Sequence, residues 1–279
     1  MHKLHQLLFD LIDSPLVTQV NSFLESKTFV EELVRLSSKF RGNNTLNKML
    51  TGNVEKVKEG SIRYYLTEHG KFPSVTTVIK CADNADIDGI MEKHKRNLAE
   101  KIGYKKAENQ YRLPTVIGDW THEMIAKYLE KNDEFYLNHS IARSIKKDIF
   151  DRIEEVIAVE YPVWHEGKMF AGTVDCVARL DDGKVYLLDW KTSKKAKSLS
   201  SIKSYQYQAA AYCMAFYKRT GIRIDGVKIC VMYRGTVGKR KPRMHDIFDF
   251  DREQIGELAQ SFDMMCRKFH GIDVQDHPF

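Results

Sequence analysis

Along the first fifty residues the apolar positions recur at helical spacing: Leu4, Leu7, Leu8 and Leu11, then Val17, Val20 and Leu24, then Phe29, Val30, Leu33 and Leu36. Two or three amphipathic helices are predicted there. Asn43, Asn44 and the charged stretch 53–60 predict a linker after them. From Ile62 the pattern turns extended. Arg63-Tyr64-Tyr65-Leu66, a turn at Glu68-His69-Gly70 and a return through Phe72-Pro73-Ser74 predict a β-hairpin, with Ser74 or Thr76 capping a short helix. Residues 90–102, 118–130 and 141–159 read as helices. Two hairpins are then expected in succession, 159–178 turning at Glu166-Gly167 and 173–191 turning at Asp181-Asp182-Gly183. Residues 205–217 predict a helix, 226–233 a strand in which Val227, Ile229 and Val231 alternate, and 252–269 a closing helix. The expected organisation is a helical extension over 1–55 and an α/β domain over 56–279.

The chain of 279 residues, 43% of them hydrophobic, has the material for one large domain or two small ones, which excludes a disordered or fibrous protein. Lys plus Arg number 44 against 38 Asp plus Glu, and the resulting net charge of +6 favours an anionic partner. The five cysteines, Cys81, Cys176, Cys213, Cys230 and Cys266, lie far apart without a C-x-x-C pair, which argues against a disulfide framework or a four-cysteine metal site. No apolar run approaches the ~18 residues of a membrane span, so a soluble chain with no membrane partner is expected. Asp10 and Asp13 interrupt the first apolar run, which therefore reads as a folded helix rather than a leader. A cytoplasmic location, in a bacterial or phage-infected cell, is preferred over a mitochondrial one.

The candidate chemistry lies between Gly172 and Lys191. If 181–183 form a three-residue loop, Leu180 pairs with Lys184, and the register carried along the strands sets Asp175 opposite Asp189. Opposed like charges are unfavourable in a sheet, and the apolar run ending at Leu188 implies burial, which raises the cost. A divalent cation would remove that penalty. Lys191 shares the face of Asp189, because side chains alternate along a strand. A turn at Glu166-Gly167 sets Glu160 opposite Thr173 and so diagonal to Asp175. Three acids and one lysine would converge, although a one-residue slip would send Asp175 to the other face. Oxygen ligands suit Mg²⁺ or Mn²⁺, one or two per site, which clamp phosphates and acidify a bound water. Lys191 would orient or deprotonate that water, or neutralise charge in the transition state. Taken singly, Asp175 and Asp189 read as strand-end residues beside turns and Lys191 as a solvated base; the combination favours a metal centre.

Gly172-x-x-Asp175 followed by Asp189-x-Lys191 resembles the core of the PD-(D/E)XK nuclease superfamily. Gly118-x-x-x-His122, Glu160, Asp189-Trp190-Lys191 and Gln208-x-x-x-Tyr212 follow the order of its RecB-like exonuclease branch. Arg63-Tyr64-Tyr65, Gly70 and Pro73-Ser74-Val75-Thr76 resemble the opening of the mitochondrial genome maintenance exonucleases and related phage exonucleases. The resemblance covers roughly residues 62–235. It implies a restriction-endonuclease-like core, a mixed central β-sheet flanked by helices. It also implies that His122, Asp175, Asp189 and the Trp190 carbonyl hold metal, with Glu160 a further ligand, and that Lys191 is the catalytic lysine beside Asp175 and Asp189. Gln208 and Tyr212, four apart on one helix face, would contact the scissile strand or brace the lysine. Ser74 and Thr76 would touch phosphate, or simply cap their helix. Relatives with an iron-sulfur cluster add a cysteine trio near the C-terminus; Cys266 has no such neighbours, so no cluster is expected.

Lys194, Lys195, Lys197 and Lys203 adjoin Lys191, and Arg234, Lys239, Arg240, Lys241 and Arg243 cluster in a Gly-containing hairpin. Each group reads as a solvated face or, beside a metal centre, as a track for a phosphate backbone, with Lys194, Lys195 and Arg240 as substrate contacts. Tyr64, Tyr65, Phe72, Trp120 and Trp164 are candidates for base stacking. These features predict a metal-dependent DNA exonuclease acting on single strands or free ends. Two alternatives stay open: an endonuclease with the same centre, and a non-catalytic nucleic-acid-binding or recombination subunit that docks a protein partner through residues 1–50.

Overall fold

The computed structural model describes residues 54–60, 62–82, 87–137, 140–233 and 244–272. The helices expected in 1–50 and the cluster from Arg234 to Arg243, Arg240 included, lie outside them. Strands β1 (Glu55–Glu59), β2 (Ile62–Thr67) and β3 (Gly70–Pro73) form a three-stranded antiparallel sheet. Helices α1 (Val75–Ala82), α2 (Ile87–Ile102), α3 (Tyr104–Lys131) and the single turn α4 (Ser140–Arg143) follow. The second sheet has the order β4-β5-β6-β7-β8, formed by β4 (Ile153–His165), β5 (Phe170–Leu180), β6 (Val185–Ser193), β7 (Gly226–Tyr233) and β8 (His245–Asp251). Helix α5 (Lys203–Thr220) crosses from β6 to β7, and α6 (Arg252–His270) closes the fold.

Strands β6 and β7 are parallel and every other neighbouring pair is antiparallel, so the sheet is mixed, as expected. Alternation sorts its side chains between two cores. Val185, Leu187, Val227, Ile229 and Val231 bury toward α1, α5 and α6. Leu188, Trp190, Cys230 and Met232 bury against α3 and α4, together with Ile125, Ile141, Ile145 and Ile149. Helices thus cover both faces, and β7, buried along its whole length, is the hydrophobic spine that a central strand requires.

Two expectations fail. Residues 141–159 do not form one helix: coiling persists through α4 and the turns to Ile149, and the chain extends from Ile153. Ile141, Ile145 and Ile149 have helical spacing because they line the second core. The strand that follows hides its period of two, because register shifts between Ile153 and Glu155 and between Val156 and Ala158 break the alternation. The predicted linker 53–60 holds β1, whose Glu55 to Glu59 pair with Leu66 to Ile62. A five-residue strand with one apolar residue gives almost no hydrophobic signal. Helix α3 also begins earlier than the predicted 118, at Tyr104, and runs through Pro114.

Candidate metal centre

The hairpin β5–β6 has the expected register. Leu180 N–H donates to the Lys184 carbonyl at 3.1 Å across the turn, and Arg179↔Val185, Ala178↔Tyr186, Val177↔Leu187 and Cys176↔Leu188 follow. The pairing then stops. In an antiparallel ladder hydrogen-bonded pairs alternate with open ones, so a continued ladder from Leu180 and Lys184 would bond Trp190 N–H to the Val174 carbonyl. Instead the Trp190 amide donates to Asp175 Oδ2 at 2.8 Å. Past this point β5 stays with β4 while β6 stays with β7, and the strands separate around Asp175 and Asp189.

The hairpin β4–β5 differs from expectation by an even offset. Its connection runs through a helical turn at Glu166–Lys168 and a left-handed Met169 (φ 51°), so Pro162, not Glu160, lies opposite Thr173. From Ala158 to His165 this shift of two residues keeps each side chain on its expected face, and Glu160 moves from the diagonal of Asp175 to the level of Asp175 itself. Glu160 has φ 46°, a left-handed conformation inside a strand that a residue with a Cβ adopts at a cost, and one that concentrates at functional sites.

Helix α3 supplies the third direction. Thr121, Ile125 and Tyr128 face the second core, and His122, next to Thr121, reaches the gap between the strands. Its Nδ1 stands 3.4 Å from Asp175 Oδ1. One ligand atom each from His122, Glu160 and Asp175 lies within 4.8 Å of the others. Groups bound to one ion at about 2.1 Å lie up to about 4.2 Å apart across it, so a small contraction would close this set around a single cation. One imidazole with two carboxylates is a donor set for a divalent ion that accepts nitrogen and oxygen.

Asp189 is 1% exposed. The Lys191 ammonium stands 2.5 Å from its Oδ2, an ion pair without the direction of a hydrogen bond, and Oδ1 meets no donor. A buried carboxylate with an unused oxygen beside a cluster of ligands is what a metal-free centre would leave. Lys191 also donates to the Trp190 carbonyl at 3.3 Å and lies 5.2 Å over the Tyr205 ring. Sequence reasoning missed Tyr205, which stands one helical turn before Gln208.

Charges in the gap set one another's protonation. Burial pushes Asp189 up to about 6, against the Lys191 ammonium and helped by Asp175. Burial also opposes the charge on Lys191, but Asp189 and Asp175 outweigh it, and the amine is held as an ammonium. Burial would raise Asp175 as well; the His122 and Lys191 charges and the Trp190 amide hold it below the usual carboxylate range. Burial would lower His122, and the Asp175 carboxylate raises it instead. Glu160, at the rim, is pushed up by desolvation and by Asp175.

Among the remaining predicted residues, Gln208 Nε2 donates to the Tyr212 hydroxyl at 2.8 Å. A Cβ on Gly172 would meet Tyr212 Cε1 at 2.3 Å, so only glycine lets β5 pass under that ring. Ser74 caps α1: its Oγ accepts from Thr77 N–H at 3.1 Å and meets Thr76 Oγ1 at 3.0 Å. Lys194, Lys195 and Lys203 are exposed. Tyr65, Phe72 and Trp164 are buried together with Ala171, where the small sheet packs on the large one, so they are core residues and not base-stacking ones. Trp120 is 42% exposed, on the helix that carries His122. Among the described residues no helix is long and apolar enough to cross a membrane.

The PD-(D/E)XK nuclease superfamily matches residues 53–279. Mitochondrial genome maintenance exonuclease 1 of Homo sapiens is 28% identical over 131 residues, 45% of this chain and 38% of that protein. The protein of the same name from Mus musculus is 26% identical over 137 residues, 47% of this chain and 40% of that protein. The matched region spans about two fifths of the length of these relatives. The crystal structure of SSO0001 aligns with 62% of this chain and 70% of its own at 17% identity, with a TM-score of 0.30.

Proposed function

Because this chain belongs to the PD-(D/E)XK nuclease superfamily, we propose that it is a Mg²⁺- or Mn²⁺-dependent DNA exonuclease, hydrolysing phosphodiester bonds on single strands or at free ends. The observation that carries this reading is the convergence of His122, Glu160 and Asp175 within 4.8 Å, beside the buried Asp189 and its partner Lys191. The exonuclease assignment draws on the relatives, both of which are named as exonucleases.

His122, Glu160, Asp175, Asp189 and the Trp190 carbonyl would hold the metal. A divalent ion held there would polarise the phosphate and lower the pKa of a water, so that the water can give up a proton and attack phosphorus. Hydrolysis joins a water oxygen to phosphorus and releases the ester oxygen, while negative charge grows on the non-bridging oxygens. Lys191, kept as an ammonium by Asp189, would neutralise that charge from a fixed position. Asp189 holds Lys191 in place, and the Tyr205 ring limits its swing. Gln208 and Tyr212 would brace the opposite wall, because the Tyr212 ring sits against Gly172 and its hydroxyl is fixed by Gln208.

The test is cleavage of 5′- and 3′-labelled linear strands alongside closed circles, with Mg²⁺, with Mn²⁺ and with EDTA. Digestion of linear DNA that needs the ion and spares circles is the expected result. Cleaved circles would make the enzyme an endonuclease. DNA left intact with either ion would end the nuclease reading, and EDTA-insensitive binding without cleavage would leave a non-catalytic subunit.

A further inference from the structure

Strand β1 reads Glu55-Lys56-Val57-Lys58-Glu59, and alternation sends its two lysines to one face and its two glutamates to the other. Residues paired across an antiparallel ladder share a face. On the glutamate face Lys71 Nζ pairs with Glu59 Oε2 at 2.5 Å and lies 4.3 Å over the Tyr64 ring, so the one cation there is answered within the sheet. The lysine face carries no carboxylate from its three strands. Lys58 stands directly opposite Arg63, and Lys56 opposite Tyr65. Like charges opposed across a ladder repel, and among the described residues neither Lys58 nor Arg63 has an anionic partner. All three cations are exposed.

This row leads to the metal centre. The Lys56 ammonium lies 5.7 Å over the Tyr65 ring, and the Tyr65 hydroxyl meets Thr173 Oγ1 at 3.2 Å, two residues from Asp175. At its far end the Arg63 carbonyl accepts from Ser74 N–H at 2.8 Å, beside the start of α1. Lys56 and Lys58 are spaced about 7 Å along the strand, a distance over which an extended polyanion presents successive charges.

We infer that Lys56, Lys58 and Arg63 form a phosphate-binding rail, which holds the backbone of a nucleic-acid strand as it approaches the metal centre. The direction toward that centre rests on the nuclease reading; the unanswered charge does not. The rail is sequence-independent, because it offers cations to phosphates and no groups to base edges.

The test uses the full chain and a fluorescein-labelled single strand, with binding measured without divalent ion across a salt series. Lys58→Ser/Arg63→Ser is expected to weaken binding several-fold and to lower the slope of log K against log salt by about 1.4, at about 0.7 per lost phosphate contact. With Mn²⁺ present, its KM for the strand rises. Lys71→Ser, on the opposite face, keeps the wild-type slope, and Lys58→Arg/Arg63→Lys restores it. A thermal melt checks that each variant folds. A double variant with the wild-type slope overturns the rail whether or not the wild type cleaves DNA. A reduced slope in a chain that never cleaves keeps the rail and removes the nuclease reading.

Discussion

The Asp175 carboxylate takes the amide hydrogen of Trp190 at 2.8 Å, in place of the backbone carbonyl that a continued ladder would have offered. One side chain therefore ends the β5–β6 pairing and, with its other oxygen, faces His122. The two duties can be separated. Asp175→Asn keeps an oxygen for the Trp190 amide and loses the charge, so it should melt near wild type and bind Mn²⁺ at least about tenfold more weakly. Asp175→Ala loses both and should also be about 1–3 kcal/mol less stable, because the Trp190 amide is left without a partner. Thermal melts and calorimetric titration with Mn²⁺ check both; an Asn variant that unfolds would contradict the division.

Lys191→Ala should lower kcat by about 10²–10³, as expected when a preorganised cation is removed from developing charge. It also leaves Asp189 buried without its cation. The metal-free variant should lose roughly 3–5 kcal/mol, and Mn²⁺ should raise its melting temperature more than it raises that of the wild type. Equal metal-induced shifts in the two proteins would mean that the ion does not sit near Asp189.

At the proposed centre, proton and metal would compete. Asp189 is raised to about 6, so between the usual carboxylate value and about 6 the metal-free folded chain binds more protons than the unfolded chain. The stability from that protonated carboxyl is complete below the unfolded value and is lost as pH rises through about 6. A bound metal would reverse the preference, because ligation by the proposed residues needs Asp189 ionised and His122, itself raised, neutral. Mn²⁺ affinity should climb from pH 5 to pH 7 with release of protons, measured by titration in buffers of different ionisation enthalpy. A flat affinity would place the ion elsewhere.

At Glu160 a left-handed backbone is joined to a carboxylate raised by its surroundings. Glu160→Gly removes both costs and should stabilise the metal-free chain by about 1 kcal/mol while weakening Mn²⁺ binding. Glu160→Gln keeps the strained backbone and should gain less. Chemical denaturation of the two variants orders them; the reverse order would assign the conformation no cost.

Gly172→Ala drives a methyl group into the Tyr212 ring and should cost about 1–3 kcal/mol, with loss of cleavage as β5 shifts. Adding Tyr212→Leu should return most of the stability and none of the activity, because the partner of Gln208 is gone. Denaturant midpoints and cleavage rates separate the two effects.

The β5–β6 hairpin was legible because Asp181-Asp182-Gly183 fixes a short turn and the apolar run to Leu188 fixes the register, from which the level of Asp175 and Asp189 follows. The break in pairing beyond them was not legible, since it depends on a side chain displacing a backbone acceptor. The Glu166 turn is two residues longer than its sequence predicts, yet Glu160 keeps its expected face because side chains have a period of two. The strand after Ile153 was lost to its bulges. Tyr65, Phe72 and Trp164 looked like stacking residues because nothing local reveals that a second sheet covers them. The significance of Lys56, Lys58 and Arg63 needed the pairing of β1 with β2, which a stretch of mostly charged residues does not announce.

Because the two strands part company beyond Leu188, the gap between them is what unfinished zippering leaves behind, and strands rather than a loop form its two sides. Surface segments around it can be lengthened, recut or exchanged without resizing it. A fold with such a built-in fissure can keep one chemistry while the apparatus that feeds it is replaced.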